Sequence, residues 1–412
     1  MADTYCKRSE NELILRSFND DVEAALCCKS QHPVSLFDEG ALEKVQEDLE
    51  NGIRNKHCTI CWLHEANGLD SWRLQGNVSR IAEKSIEVYL DNTCDQKCIY
   101  CSAKYSSQWA QEINYAKGTD KDFLTNILND ETFVATQKKN HIDIILKKIA
   151  EVGEQSRDYH FHQIILLGGE PLISPHVKKD VINDIVGAFY SKTESTRKLK
   201  IMVVTNGNSP DVVIDRAIKS MKENMEKYEN LKFTINLSME STGEISEFVR
   251  YGVVWQQFIK NYEKYLENDL EVGFSMTMNS VSFLDTPNFM RQMIEIAKNS
   301  KGWRKRTFFR LNVAQYPKFL SIATLPEKYR YIFDECKNII SENKEFILDD
   351  LFIGSFFKEI YFAEKLFGKE HDKTLQVRNA RQYFDYLKRT RKQDIAKINP
   401  ELFEYLRDYN GQ

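Results

Sequence analysis

From Ser85 onward, short runs rich in β-branched and apolar residues alternate with longer stretches in which apolar residues recur every three or four positions. The short runs predict strands at Ser85–Asp91, Gln163–Leu167, Leu199–Thr205, Lys232–Ser238, Glu271–Thr277 and Thr307–Val313. The longer stretches predict helices between them, for example over Asp130–Val152, Val177–Tyr190, Pro210–Tyr228, Val254–Asn268 and Pro287–Lys298. Strands recurring with helices between them imply βαβ units, right-handed crossovers and a parallel sheet. Six such units are two short of a complete eight-fold barrel, so the expected fold is α/β, a partial (β/α)6 barrel over residues 83–325. Residues 1–82 have a different character, with five cysteines around one helical stretch, Leu42–Asn51. Residues 326–412 turn polar and helical, with Tyr, Phe, Lys and Arg alternating, and read as a helical C-terminal region.

Composition narrows the partners. The chain has 412 residues, with Lys+Arg 57 against Asp+Glu 61 for a net charge of −4. No global basic field advertises nucleic acid, and the basic runs Lys388–Lys392 and Trp303–Arg306 read as solvated helix faces. Met1–Asn19 is polar, without the apolar core of a signal peptide, and no apolar run is long enough to span a membrane. A cytoplasmic protein with no membrane partner is expected, and its thiols stay reduced. Nine cysteines are odd in number for a disulfide framework, and eight fall within the first 101 residues. Clustering of that kind in a reducing compartment points to metal ligation. Cys336 stands alone and reads as a buried structural thiol, and the lone histidines His141, His160, His162 and His176 read as structural.

The first strand of the alternating region runs directly into Asn92-Thr-Cys94-Asp-Gln-Lys-Cys98-Ile-Tyr100-Cys101. Three thiolates at spacings of four and three can converge on one metal centre and leave a coordination position open for chemistry. A zinc loop is the alternative. The next strand ends in Gly168-Gly169-Glu170-Pro171, where glycines let backbone approach a ligand and the carboxylate can hold an ammonium group. Later strands end in Thr205-Asn206-Gly207, in Ser238-Met-Glu240 with Arg250 beyond it, and in Thr277-Met-Asn279. The order of these segments, each after a successive strand, resembles the radical S-adenosylmethionine (SAM) superfamily. That resemblance implies a [4Fe–4S] cluster on Cys94, Cys98 and Cys101, beside Tyr100. It implies SAM contacts from Gly168, Gly169 and Glu170 to the amino group, from Thr205 and Asn206, from Ser238 and Glu240 to the ribose, from Arg250 to the carboxylate and from Asn279 near the adenine.

The amino-terminal cysteines offer a second set. Cys58-Thr-Ile-Cys61, with Cys6 and one of the Cys27-Cys28 pair, supplies four thiolates, which suit either structural zinc or a fully ligated cluster. The chain resembles the radical SAM branch in which a twitch-type auxiliary-cluster domain precedes the barrel, carrying a leading Cys, a Cys-Cys pair, C-x2-C and a Gly/Ser/Arg tract. Here that tract is Glu65-Ala-Asn-Gly68-Leu-Asp-Ser71-Trp-Arg73. The resemblance continues through Ser106-Ser-Gln-Trp109, Arg250-Tyr-Gly252, Tyr316-Pro317 and Asn399-Pro-Glu-Leu402. It implies a second [4Fe–4S] cluster on Cys6, Cys27, Cys58 and Cys61, in a domain spanning residues 1–82.

In such enzymes one-electron reduction of the first cluster cleaves SAM to methionine and a 5′-deoxyadenosyl radical, which abstracts a hydrogen atom from a carbon. The implied reductant is a flavodoxin or ferredoxin. The implied substrate is a peptide or amino-acid-like molecule undergoing oxidation, cross-linking or epimerisation, with the second cluster accepting or relaying an electron. No separate leader-peptide-binding segment is evident ahead of Cys6, which keeps a small metabolite or nucleoside open as the substrate. A non-catalytic zinc-binding scaffold is the reading from a different class. Tyr105, Trp109 and Tyr316 are candidates either for the pocket wall or for core packing.

Overall fold

The computed structural model describes residues 4–18, 21–30, 32–66, 68, 71–74, 83–128, 141–155, 161–175, 180–300, 307–348, 350–370 and 372–409. Among the described residues eleven strands appear in chain order: β1 Glu12–Phe18, β2 Asp21–Ala25, β3 Val34–Ser35, β4 Glu83–Tyr89, β5 Lys97–Cys98, β6 Phe161–Leu167, β7 Leu199–Thr205, β8 Leu231–Ser238, β9 Arg250–Tyr251, β10 Glu271–Met278 and β11 Thr307–Val313. The six strands expected from the alternating pattern are β4, β6, β7, β8, β10 and β11, each within two residues of its expected ends. The chain forms two compact units. One comprises Met1–Thr93, Ala135–Val204 and Val212–Thr234; the other comprises Cys94–Val134, Thr205–Asp211 and Ile235–Gln412.

In the first unit the strands run in the order β3-β2-β1-β4-β6-β7. β1 lies parallel to β4, β4 to β6 and β6 to β7, while β2 and β3 return antiparallel at the edge. Because side chains alternate across a strand, the register sets rows of like residues on one face. Leu13, Ile86, Ile164 and Ile201 form one such row, and Leu15, Val88, Leu166 and Val203 the next. All eight are buried. At roughly 1.5–3 kcal/mol per fully buried aliphatic side chain, these two rows are a main source of the unit's stability. The helices Ile142–Gln155 and Val181–Tyr190 pack together on this sheet's crossovers. The expected helix over Asp130–Val152 begins in residues outside the described set and continues here to Gln155.

β1 and β2 were not part of the pattern read from sequence. They pair antiparallel as a hairpin, from Ile14 opposite Ala25 to Phe18 opposite Asp21. Asp21 ties the hairpin to β3 by accepting from the Ser35 hydroxyl at 2.7 Å.

In the second unit β10 pairs parallel with β11, and Phe274 stacks on Phe309 across the register with ring centroids 5.4 Å apart. The amide of Asn236, on β8, donates to Ser275 Oγ on β10 at 2.9 Å. The helix Asp350–Leu366 lies on β11, where Glu359 accepts from the Leu311 N–H at 2.7 Å. The C-terminal residues are helical and packed into this unit, where Tyr383, Phe384 and Leu387 are all buried. The two-residue strands β5 and β9 form a separate antiparallel ribbon. No helix among the described residues is long and apolar enough to cross a membrane.

Candidate functional site

At the exit of β4 the chain turns through Asp91, Asn92 and Thr93, with the Thr93 N–H donating to Asp91 Oδ1 at 2.6 Å. The segment after β6 folds back onto this turn. Gly169 N–H donates to the Asp91 carbonyl at 3.0 Å and Glu170 N–H to the Thr93 carbonyl at 2.7 Å. Ser174 Oγ donates to the Asp91 carboxylate. Gly168 has φ +125°, and a Cβ there would lie 2.7 Å from the Asp91 carbonyl oxygen; a Cβ on Gly169 would overlap the Thr93 carbonyl. Both positions therefore require glycine for backbone-on-backbone packing directly ahead of Cys94. Glu170 is buried, and its Oε1 accepts from the Leu172 N–H at 3.2 Å, capping the turn Pro171–Ile173.

In the second unit the cysteine loop is held at its main chain. Trp109 Nε1 donates to the Cys98 carbonyl at 2.9 Å, Tyr383 Oη to the Ile99 carbonyl at 2.9 Å, and Ser106 Oγ to the Gln96 carbonyl at 2.7 Å. The β5–β9 ribbon sets Cys98 opposite Arg250. Arg250 Nη1 lies 3.8 Å from Cys98 Sγ, while its Nε and Nη2 donate to Glu240 Oε2 at 3.1 and 2.6 Å. Tyr100 Oη donates to the other Glu240 oxygen at 2.9 Å. Glu240 is fully buried and Arg250 is 5% exposed. Burial pushes the Cys94 thiol well above its ordinary range, and charge on Cys98 and Cys101 adds to the rise. Burial also raises the Cys98 thiol, against the opposing pull of Arg250.

The other expected residues have definite local partners. Asn206 Nδ2 donates to Asp95 at 2.7 Å, and Thr205 Oγ1 accepts from the Gly207 N–H at 3.2 Å. Asn279 closes its own turn: Nδ2 donates to the Thr277 carbonyl, and Oδ1 accepts from the N–H groups of Val281 and Ser282. Ser238 is half-buried at the end of β8.

In the first unit Cys6, Cys27, Cys58 and Cys61 line one cavity together with His57, Trp72 and Arg73, whereas Cys28 is exposed. Arg73 fixes the neighbouring tract, donating to Glu65 at 2.6 and 3.0 Å and to the Tyr5 carbonyl at 2.8 Å. Burial raises the Cys6 thiol and pushes that of Cys58 up to about 12. A single zinc ion with Zn–S ~2.3 Å holds its sulfurs only about 3.8 Å apart. Among the described residues, the one group of three or more candidate ligand residues with all ligand atoms within 4.8 Å is Glu12, Cys27 and Cys28. Neither Cys94, Cys98 and Cys101 nor the four cavity cysteines form such a group among the described residues.

A family model described as the radical SAM superfamily matches residues 88–293, half of the chain. This protein belongs to the radical SAM superfamily. Membership implies an enzyme that uses SAM radical chemistry, with a [4Fe–4S] cluster and SAM as its cofactors. Among solved structures, anSMEcpe with AdoMet and a peptide bound aligns at 16% identity and a TM-score of 0.40, over 66% of this chain and 61% of its own. Streptococcus suis SuiB bound to its precursor peptide SuiA gives 16% and 0.40 over 64% and 47%; SuiB bound to S-adenosylmethionine gives 15% and 0.39 over 81% and 70%. The matched part of this radical SAM chain spans about three fifths of the anSMEcpe length. No curated protein sequence matches it.

Several supporting residues escaped the sequence reading. Glu112 accepts from Lys97 and from Arg391, whose guanidinium also lies 4.2 Å over the Trp109 ring. Burial works to raise the Glu112 pKa, but Arg391 and Lys97 outweigh it and hold the carboxyl below its usual range. The run Lys388–Lys392 is thus partly internal, with Arg389 bonded to Asp120 and Lys388 to Asp394. The run Trp303–Arg306, His160 and His176 lie outside the described residues. Trp109 is core, Tyr316 is 65% exposed, and Cys336 is buried with its thiol pushed up to about 12.

Proposed function

We propose that this radical SAM protein abstracts a hydrogen atom from a peptide or amino-acid-like substrate, with a second [4Fe–4S] cluster on Cys6, Cys27, Cys58 and Cys61 accepting or relaying the resulting electron. The observation that carries the reading is the inequality of the two cysteine sets: three thiols in the loop after β4, four around the amino-terminal cavity. Three ligands leave one iron of a cubane open, and four leave none. When bound and reduced, the cluster–SAM pair supplies a 5′-deoxyadenosyl radical.

The chain's own residues then have defined tasks. Cys94, Cys98 and Cys101 hold the cluster, and Arg250, clamped by Glu240 and Tyr100, balances the charge on Cys98. Gly168 and Gly169 keep the backbone after β6 close-packed ahead of Cys94, with Glu170 buried behind them. Strand-exit residues Thr205, Asn206, Ser238, Glu240 and Asn279 are proposed to shape the SAM side of the site. The peptide assignment is supported by the resemblance of the cysteine pattern to the twitch-type branch. The reductant is a one-electron donor of flavodoxin or ferredoxin type.

The test is anaerobic turnover with dithionite. The protein is expected to convert SAM to 5′-deoxyadenosine and methionine, and deuterium from a labelled peptide should appear in the 5′-deoxyadenosine. Deuterium arriving only from small metabolites would overturn the peptide assignment, and absence of SAM cleavage would overturn the enzymatic one.

A further inference from the structure

We infer that a cleft at the exit of β11 is a binding site for an uncharged stretch of peptide; the inference rests on the peptide reading above and gives it a location. The cleft has a volume of about 510 Å3 and lies wholly within the second unit. Its size falls within the ~300–1,000 Å3 typical of ligand pockets.

Its lining is chemically narrow. The helix Thr119–Leu128 contributes Asn126 and Phe123, the helix Lys373–Arg391 contributes Gln376, Asn379 and Gln382, and the turn after β11 contributes Tyr316. Residues 376, 379 and 382 are three apart, so they follow one stripe of their helix. Four side-chain carboxamides thus face one space, each offering both donors and an acceptor. None of the four has a hydrogen-bond partner for its side chain among the described residues. Gln376 is only 7% exposed as a residue, and its amide atoms are not among the buried unpartnered ones, so what it shows of itself is the amide opening to the cleft. Amides that open to a cleft without protein partners are free to pair with a ligand that both donates and accepts.

Among the described residues Lys318 is the one charged residue on the lining, so an anionic ligand would meet a single cation there. The peptide group matches the carboxamide instead: it is planar, uncharged, and pairs one N–H and one C=O against the amide's own acceptor and donor. Exposed Tyr316 and half-buried Phe123 add flat apolar surface for the side chains between those groups.

Position strengthens the assignment. Ligands of α/β folds bind beyond the carboxyl ends of parallel strands, and Tyr316 lies three residues past β11. The same helix that presents Gln376, Asn379 and Gln382 to the cleft continues into Tyr383, which bonds the Ile99 carbonyl in the cysteine loop, and ends at Arg391, which bonds Lys97 and Glu112. A peptide held there is held on the element that fixes the loop.

The test uses the full chain, reconstituted anaerobically, and saturation-transfer NMR titrations with two probes: a blocked hexapeptide of alternating alanine and asparagine, and maltohexaose. The hexapeptide is expected to bind. Gln376→Ala should weaken it about tenfold, the effect of one buried hydrogen bond, and Gln382→Ala, at an exposed position that does not threaten folding, about threefold. No hexapeptide binding, binding unchanged in both variants, or maltohexaose binding with the same sensitivity would each overturn the inference. SAM cleavage by the wild-type protein is measured alongside. Cleavage without hexapeptide binding defeats the cleft and leaves the enzyme reading; binding without cleavage does the reverse.

Discussion

The Glu240–Arg250 pair is the most consequential side-chain arrangement in the second unit, because it is closed off from water and touches the Cys98 thiol. A buried pair is weak as a source of stability, yet removing one partner strands the other charge at a cost of about 3–5 kcal/mol. Glu240→Gln is therefore expected to lower the denaturation midpoint by that order, while Tyr100→Phe, which removes one neutral donor, should cost only about 1 kcal/mol. Urea titration of the three proteins checks this; equal losses would mean that Glu240 is not compensating Arg250. His162 gives the corresponding pH prediction in the first unit. Its ring is buried beside Phe189, and burial, reinforced by Arg197, depresses its pKa to about 4. The unfolded chain, at the ordinary ~6.5, takes up the proton first as pH falls. The stabilising contribution is therefore complete above about pH 6.5 and is lost progressively toward pH 4, on the order of 3 kcal/mol in all. His162→Phe should flatten that part of the stability–pH curve, as read by thermal melts between pH 7 and 4.5; an unchanged slope would assign the acid sensitivity elsewhere.

At the level of elements, the six strands with helices between them were legible because their apolar rows are continuous and their periods distinct. The hairpin β1–β2 was not, since its strands lie among cysteines that drew the reading toward metal ligation. The two-residue strands β5 and β9 are too short to carry any period, yet they set Arg250 against Cys98. Sequence order alone located Cys94, Cys98, Cys101 and the Gly168–Glu170 segment, because each follows its strand directly. It could not show that Glu240, Arg250 and Tyr100 close on one another, since Tyr100 and Glu240 are 140 positions apart and each looked locally like a separate SAM contact. The turn after β6 offers the sharpest element-scale test. Gly169→Ala places a methyl group on the Thr93 carbonyl, so the turn must move away from the β4 exit. The variant is expected to retain its iron content but to form 5′-deoxyadenosine at least tenfold more slowly, a loss of about 1.4 kcal/mol in transition-state stabilisation. Wild-type rates in Gly169→Ala would show that the packing of this turn is not required for SAM cleavage.

On the scale of the whole molecule, the question is whether two clusters coexist, and the thiols themselves frame the answer. Burial raises the pKa of Cys6 and Cys58, so both stay protonated at neutral pH until a cluster displaces their protons. Arg73 and Lys29 line the same cavity, so thiolates formed there have cations beside them. Anaerobic iron and sulfide analysis of the reconstituted protein is expected to give about eight of each, following from four per cubane. Cys58→Ala/Cys61→Ala should fall to about four of each and still cleave SAM with dithionite, whereas Cys94→Ala/Cys98→Ala/Cys101→Ala should also hold about four but yield no 5′-deoxyadenosine. The two variants carry equal iron and opposite activity, which separates a catalytic cluster from an auxiliary one without reference to any substrate. Wild-type protein with about four irons and one zinc would assign the amino-terminal cavity to structural zinc, and the electron leaving the substrate would then need another acceptor.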